Sequence, residues 1–295
     1  MNKVLAEIIA GVIPHKMTRN RWRGILRYGP INALRLKREI KRNREKPVEH
    51  YLAAVVIAKN EGPYFKEWLD WHISKGIEKF YIYDNESNDE TRDVLQPYID
   101  RGIVEYNYFP GYRVQLAAYD DCLRRHRYDT RWLAVIDMDE FIVPLKETTI
   151  PEYLENMEEF PVVEINWLCY GSSGQKKREP GGVMERFRKH SLTDHPLNKH
   201  VKSILDPRRV YGMTGCHEAA RINGKASDSH GDRVRVSWRD RAPQHDRIRI
   251  NHYAVRSYEE FIEKKGRGRA SGPVRQLQDE YFHRFDLNDI EDSGE

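Results

Sequence analysis

Trp132-Leu-Ala-Val-Ile-Asp-Met-Asp-Glu-Phe141 passes from an unbroken apolar run straight into two aspartates. An apolar, β-branched run without polar alternation is what a strand buried on both faces requires. In open α/β sheets the ligand lies outside the carboxyl ends of such strands, where these acids stand. Asp137 and Asp139 are i and i+2, so an extended segment would turn both to one side. Two neighbouring carboxylates repel one another unless a cation neutralises them. Hard oxygen ligands suit Mg²⁺ or Mn²⁺. The competing reading is an ordinary acidic loop after a strand.

The same grammar repeats upstream. Leu52–Ala58 is a continuous apolar strand, followed by a helix over 63–75 with Phe65, Trp68, Leu69, His72 and Ile73 on one stripe. Lys79–Asp84 is the next strand, Asp89 caps the helix after it, Ile103–Tyr108 is a third strand, and a helix spans Val114 to His126. Strands alternating with helices at this spacing predict βαβ units and a mostly parallel sheet. Their polar ends gather at one edge: Lys59, Asn60 and Glu61 after the first strand, Asp84 and Asn85 after the second. An acid there can accept a hydrogen bond from a ribose hydroxyl or a base N–H, although Asp84 and Asn85 also suit turn chemistry. Neither GxGxxG nor GxxxxGK[ST] occurs, so no dinucleotide fingerprint or P-loop supports the site.

The second half is less regular. Strands are expected at 161–168, 201–205, 247–253 and, more weakly, 233–238, with a helix from Ser257 to Lys265 and loops at 171–174 and 179–182.

The 295 residues fit one large domain or two modest ones. The net charge of +4 is unevenly distributed: residues 1–50 carry 13 Lys and Arg against 4 Asp and Glu, a net of +9, which leaves −5 for the rest. A basic nucleic-acid-binding face on the body is therefore excluded. Residues 1–48 read as a basic, helical arm, either a contact for anionic lipid or a solvated extension packed on the body. Domain boundaries follow: the arm at 1–48, a catalytic domain at 49–287 (nucleotide half 49–145, acceptor half 146–287), and a frayed acidic tail at 288–295. No apolar stretch reaches the ~20 residues a spanning helix needs, and the N-terminus lacks a convincing cleavage site for a signal peptide. Cys122, Cys169 and Cys216 stand far apart, neither a disulfide framework nor a zinc motif. A cytoplasmic location, at the inner face of the membrane if the arm binds lipid, is expected.

The order VVIAKNE, EWLDWH, FYIYDNESNDET, LAVIDMDEF, WLCYGSSG, KSI and NHYAVRSYEEF over residues 51–270 resembles the glycosyltransferases of the GT-A fold, in the family 92 and family-2-like branch with a DxDEF motif. The arm resembles, more weakly, the leaders of bacterial enzymes that build surface polysaccharide. The resemblance implies an α/β fold of GT-A type and sugar transfer from a nucleotide-diphosphate donor, a UDP-sugar above all, to a glycan or lipid-linked acceptor, with inversion. It implies Mn²⁺ or Mg²⁺ held by Asp137, Asp139 and His252. Lys59, Asn60, Glu61, Asp84, Asn85 and Asp137 would bind the nucleotide. Gly171, Ser172 and Ser173 would form part of the sugar and acceptor wall, with Lys202, Lys265 and Arg267 toward the phosphates. Lys264 and Arg269 belong to the same pool of cations. Glu218 would be the base with His217 beside it; Glu164 and Asp194 are alternatives. The pattern lacks the ED pair and QxxRW of the simplest family-2 enzymes. Two other functions are weighed: a sugar nucleotidyltransferase, which would need a Gly-rich basic loop where Lys-Asn-Glu-Gly-Pro-Tyr stands, and a non-catalytic scaffold recruited to a membrane by its arm.

Overall fold

The structure, a computed structural model, describes residues 22, 24–43, 45–267 and 279–292. Helix α1 (Pro30–Arg42) leads into β1 (His50–Ala58), α2 (Gly62–Ser74), β2 (Lys79–Asp84), α3 (Thr91–Asp100), β3 (Val104–Tyr108), α4 (Gln115–His126) and β4 (Thr130–Val135). Then come β5 (Glu140–Pro144), α5 (Ile150–Glu155), β6 (Val162–Cys169), α6 (Val183–Arg186), β7 (Lys189–His190), β8 (Val201–Leu205), β9 (Val210–Met213) and β10 (Ala219–Arg221). The described chain ends with β11 (Ile248–His252), α7 (Tyr258–Arg267), α8 (Asp279–Phe285) and β12 (Ile290–Glu291).

Eight strands form one sheet in the order β3-β2-β1-β4-β8-β6-β11-β5. The expected α/β class is present. Strands β3, β2, β1 and β4 are parallel, joined by the helices read from the sequence. Beyond β4 the sheet is mixed: β8 runs antiparallel to both β4 and β6, and β5 antiparallel to β11. Strand β1 explains why its sequence has no polar alternation. Leu52, Ala54, Val56 and Ala58 enter the core under α2, while Ala53, Val55 and Ile57 enter the opposite core under α4. Each face is covered, so both sets must be apolar.

Helix α1 lies on the body, its Ala33 and Leu36 packed with Tyr211, Ala220 and Ile222 of the β9–β10 hairpin. The expected strand at 233–238 is replaced by a single bridge at Arg233 and a 3₁₀ turn at Trp238–Asp240. The tail reading of 288–295 is corrected for its described part: β12 pairs with β7, and Asp292 receives hydrogen bonds from Tyr170 and Arg249. A segment paired with a strand and bonded to Tyr170 and Arg249 is held rather than frayed. Residues 293–295 lie outside the described residues. Among the described residues no helix is long and apolar enough to cross a membrane.

Candidate metal and nucleotide site

The site grows from the junction of β4 and β5. After Val135 the chain leaves the strand and turns at Met138–Asp139, with the Glu140 N–H donating to Asp137 O at 3.2 Å. That turn undoes the extended geometry expected for residues i and i+2. The two carboxylates therefore diverge. Asp137, half-buried, accepts from Lys202 Nζ at 2.6 Å, from Gln115 Nε2 at 3.1 Å and from the Tyr119 hydroxyl at 3.2 Å. Asp139 instead accepts from Lys264 Nζ at 2.6 Å, and its other oxygen lies 3.8 Å from His252 Nε2.

Asp139, Glu140 and His252 offer ligand atoms that all lie within 4.8 Å of one another. Asp137 is not in this group, and Glu140, which the sequence reading passed over, replaces it. His252 arrives on β11 because β11 pairs with β5, register His252 to Glu140. Its ring stacks on Trp167, centroids 3.9 Å apart. Two buried atoms here, His252 Nδ1 and Glu140 Oε1, have no hydrogen-bond partner among the described residues. Buried polar atoms are normally paired, so an orphaned nitrogen and oxygen beside these acids leave bonding capacity that a cation could fill. One imidazole and two carboxylates suit Mn²⁺ or Mg²⁺ better than a soft metal. The residues present thus fit the ion expected from the sequence, with one ligand exchanged.

Charge in the cluster follows from burial and neighbours. Burial pushes the Glu140 carboxyl up to about 8, and the charges of Asp137 and Asp139 add to this against the opposing pull of Lys202. For Asp139 burial also favours the neutral acid, but Lys264, His252 and Arg256 outweigh it and hold the carboxyl well below its ordinary value. Burial pulls His252 down to about 4, so the imidazole is neutral and able to bind a metal. Lys202, fully buried, is kept protonated by Asp137 and Glu140 despite its desolvation.

The nucleotide-side residues meet at the adjacent strand ends. Asp84 accepts from the Ser87 N–H at 3.0 Å and from the Tyr106 hydroxyl at 2.5 Å. Asn85 donates to Phe109 O and Gly111 O, clamping the β3–α4 loop. Asn60 adopts φ 51° and accepts from the Asn88 N–H, tying the first loop to the second. Glu61 pairs with the buried Arg256 at 3.2 Å. Lys59 follows β1 and is half-buried.

Arg256 is a residue the sequence reading missed. It lies over the Tyr64 ring at 3.4 Å and, with Asn60, Tyr64, Arg178, Glu260 and Lys264, lines a cavity of about 210 Å³. Its position in Asn-His-Tyr-Ala-Val-Arg, four residues after His252, was the available signal. Lys264 connects this cavity to Asp139.

Other expected residues lie elsewhere. Lys265 points to Asp279 at 3.1 Å, while its neighbour Lys264 reaches Asp139, because α7 turns successive residues to different faces. Nothing is described of the Arg267 side chain, and Arg269 lies outside the described residues. The loop of Gly171, Ser172 and Ser173 is tied to the segment after α8: Ser172 N–H donates to Asp286 and Ser173 N–H to Asn288. A Cβ on Gly171 would come within 2.5 Å of Leu287 O, which explains the glycine. His217 and Glu218 lie in the β9–β10 turn, joined to β8 by the Ser203 hydroxyl donating to His217 O at 2.9 Å. His217 Nδ1–H donates to Val201 O, and the ring sits among Trp167, His200 and Trp238. Burial, helped by Lys202, pulls it down to about 3. Glu164 is buried and bound to Arg241, and its carboxyl is raised by burial and, against the pull of Arg241, by nearby Glu218. Asp194 is exposed.

Comparison with known proteins gives the family. The family model for glycosyltransferase family 92 matches residues 57–293. A glycosyltransferase family 92 protein of Ricinus communis is 27% identical over 225 residues, covering 75% of this chain and 38% of that protein. A galactan beta-1,4-galactosyltransferase of Arabidopsis thaliana is 27% identical over 186 residues, covering 58% and 36%. The chain thus spans less than half the length of these relatives. A crystal structure of S. aureus TarS 1–349 with UDP is 15% identical, with a TM-score of 0.37, covering 53% of this chain and 47% of that one.

Proposed function

Since this chain belongs to glycosyltransferase family 92, we propose that it is a metal-dependent glycosyltransferase that moves a hexose, galactose foremost, from a UDP-sugar to a glycan acceptor with inversion. The observation that carries the reading is the cluster of Asp139, Glu140 and His252, with its orphaned nitrogen and oxygen at the ends of the sheet strands. These three side chains would hold Mn²⁺ or Mg²⁺. When bound, the ion supplies Lewis acidity toward the departing diphosphate. The names of the plant relatives favour galactose and a galactan acceptor.

The chain's own groups divide the remaining work. Asp84, Asn60 and Glu61, at the ends of β1 and β2, would grip the nucleoside. Arg256 and Lys264 face the cavity next to Asp139 and would take up the charge that develops on the leaving phosphates. The acceptor hydroxyl must lose a proton as its oxygen attacks the anomeric carbon. His217 is held neutral with its Nδ1 occupied, far below the pKa a base near neutral pH needs, so Glu218 is the better base and His217 a wall of the acceptor side.

The test is turnover of UDP-galactose with a β-1,4-galactan oligosaccharide, with and without Mn²⁺. Incorporation into the oligosaccharide that is lost on chelation is expected. Binding of UDP with Mn²⁺ but no transfer to any glycan would overturn the catalytic reading in favour of a scaffold. Pyrophosphate release from UTP and a sugar 1-phosphate would point to the nucleotidyltransferase.

A further inference from the structure

Helix α1 has two unlike faces. Ala33 and Leu36 are buried on the β9–β10 hairpin, with Ile40 half-buried beside them. Residues 31, 34, 35, 38, 41 and 42 follow the i, i+3, i+4, i+7 spacing that places them together on the outer face. They are Ile31, Leu34, Arg35, Arg38, Lys41 and Arg42, and every one is exposed. Ile31 is 70% and Leu34 50% exposed. The single acid of the helix, Glu39, is exposed at the edge of this face, one turn from Arg35 and Arg42, and accepts from the Tyr128 hydroxyl.

A solvated helix has no reason to expose two large aliphatic side chains in line with four cations and to bury a second apolar stripe behind them. Apolar side chains flanked by Lys and Arg on one face are what a helix lying in a lipid headgroup layer presents. Residues 51–295, at net −5, would be repelled by an anionic surface, so charge favours the basic N-terminal side of the molecule, on which this face lies, for contact. We propose that the outer face of α1 docks on an anionic lipid bilayer, Ile31 and Leu34 entering the headgroup boundary and Arg35, Arg38, Lys41 and Arg42 pairing with lipid phosphates. The arrangement also bears on the reaction. The hairpin that receives α1 carries His217 and Glu218 in its turn, and Arg27, just before α1, ties it further by donating to Met213 O at 2.7 Å. Docking would hold the acceptor side of the site beside the bilayer. The docking itself does not depend on the sugar-transfer reading.

The experiment is co-sedimentation of the 295-residue chain with vesicles of phosphatidylcholine alone and of phosphatidylcholine mixed with phosphatidylglycerol. Binding to the mixed vesicles only is expected. Replacing Arg35, Arg38 and Lys41 together by Ala should weaken it by roughly 100-fold, about fivefold per charge. The pair Ile31→Ser and Leu34→Ser should weaken vesicle binding yet leave binding to a soluble polyphosphate unchanged. Both variants alter exposed side chains, and an unchanged thermal midpoint will show that the fold is intact. Equal binding to neutral vesicles, no binding to either, or an apolar pair without effect on the vesicles would each overturn the proposal; the last would assign the face to soluble polyanions.

Discussion

Lys264 Nζ lies 2.6 Å from one oxygen of Asp139, while His252 Nε2 stands 3.8 Å from the other. A single buried carboxylate thus faces an ammonium on one flank and an imidazole on the other. An arriving divalent ion and the ammonium compete for the same anion. Lys264→Met should therefore tighten Mn²⁺ binding by about tenfold, the worth of one charge-assisted hydrogen bond, in a calorimetric titration. The same variant should lose turnover, because the cation facing the leaving phosphates has gone. Weaker Mn²⁺ binding by Lys264→Met would show that the lysine supports the ion instead of opposing it.

Asp139→Asn should lower kcat/KM by about 10³-fold, since several kcal/mol of charge stabilisation go with the ion and each ~1.4 kcal/mol is tenfold. Chelation of the wild-type protein should reproduce the loss, and added Mn²⁺ should reverse it only in the wild type. An Asp139→Asn protein with near-normal turnover would remove this carboxylate from the reaction.

Glu140 predicts a pH effect. Its carboxyl is pushed from an ordinary 4.5 up to about 8, first by burial and then by Asp137 and Asp139. A folded-state value above the unfolded one favours the folded state at low pH, and that contribution is lost as pH rises from about 4.5 through about 8. Metal-free wild type should thus lose stability against Glu140→Gln across this window, while Glu140→Gln binds Mn²⁺ more weakly. Urea unfolding of both proteins at pH 5 and pH 8 is the measurement; parallel changes would contradict the assignment.

Glu61 and Arg256 form a buried pair at 3.2 Å, each less than a tenth exposed. Removing one partner leaves the other charge buried without it. Glu61→Ala should cost about 3–5 kcal/mol, and Glu61→Gln, which keeps a hydrogen bond to the guanidinium, clearly less. Thermal unfolding will separate the two variants; equal midpoints would mean that water already reaches Arg256.

The parallel half of the fold was readable because its strands are buried on both faces. Lys79–Asp84 was placed to the residue, and so was the equally buried Val201–Leu205 in the mixed part of the sheet. Those runs carry their environment in their composition. The antiparallel half was not readable in the same way: β5 begins inside the acidic motif, and β12 is two exposed residues whose pairing depends on a partner a hundred positions away. The site divides along the same line. Asp139 and His252 were recoverable from their motifs. Glu140 was read past because an extended strand would have put it on the face opposite the aspartates, and only the turn at Met138 brings it round. Lys265 was preferred to Lys264 because sequence order alone does not give the phase of a helix.

The chain end has a bearing on how the molecule is made. Asp286 and Asn288 reach back to Ser172 and Ser173 across 114 and 115 positions, and Lys264 to Asp139 across 125. During synthesis the nucleotide half can form while the ribosome is still adding residues, since its pairings are short in sequence. The cluster at its edge cannot: Asp139 and Glu140 emerge long before the His252 and Lys264 that face them. A nascent chain will spend that interval with these two acids still unpartnered, and the cluster closes late and all at once.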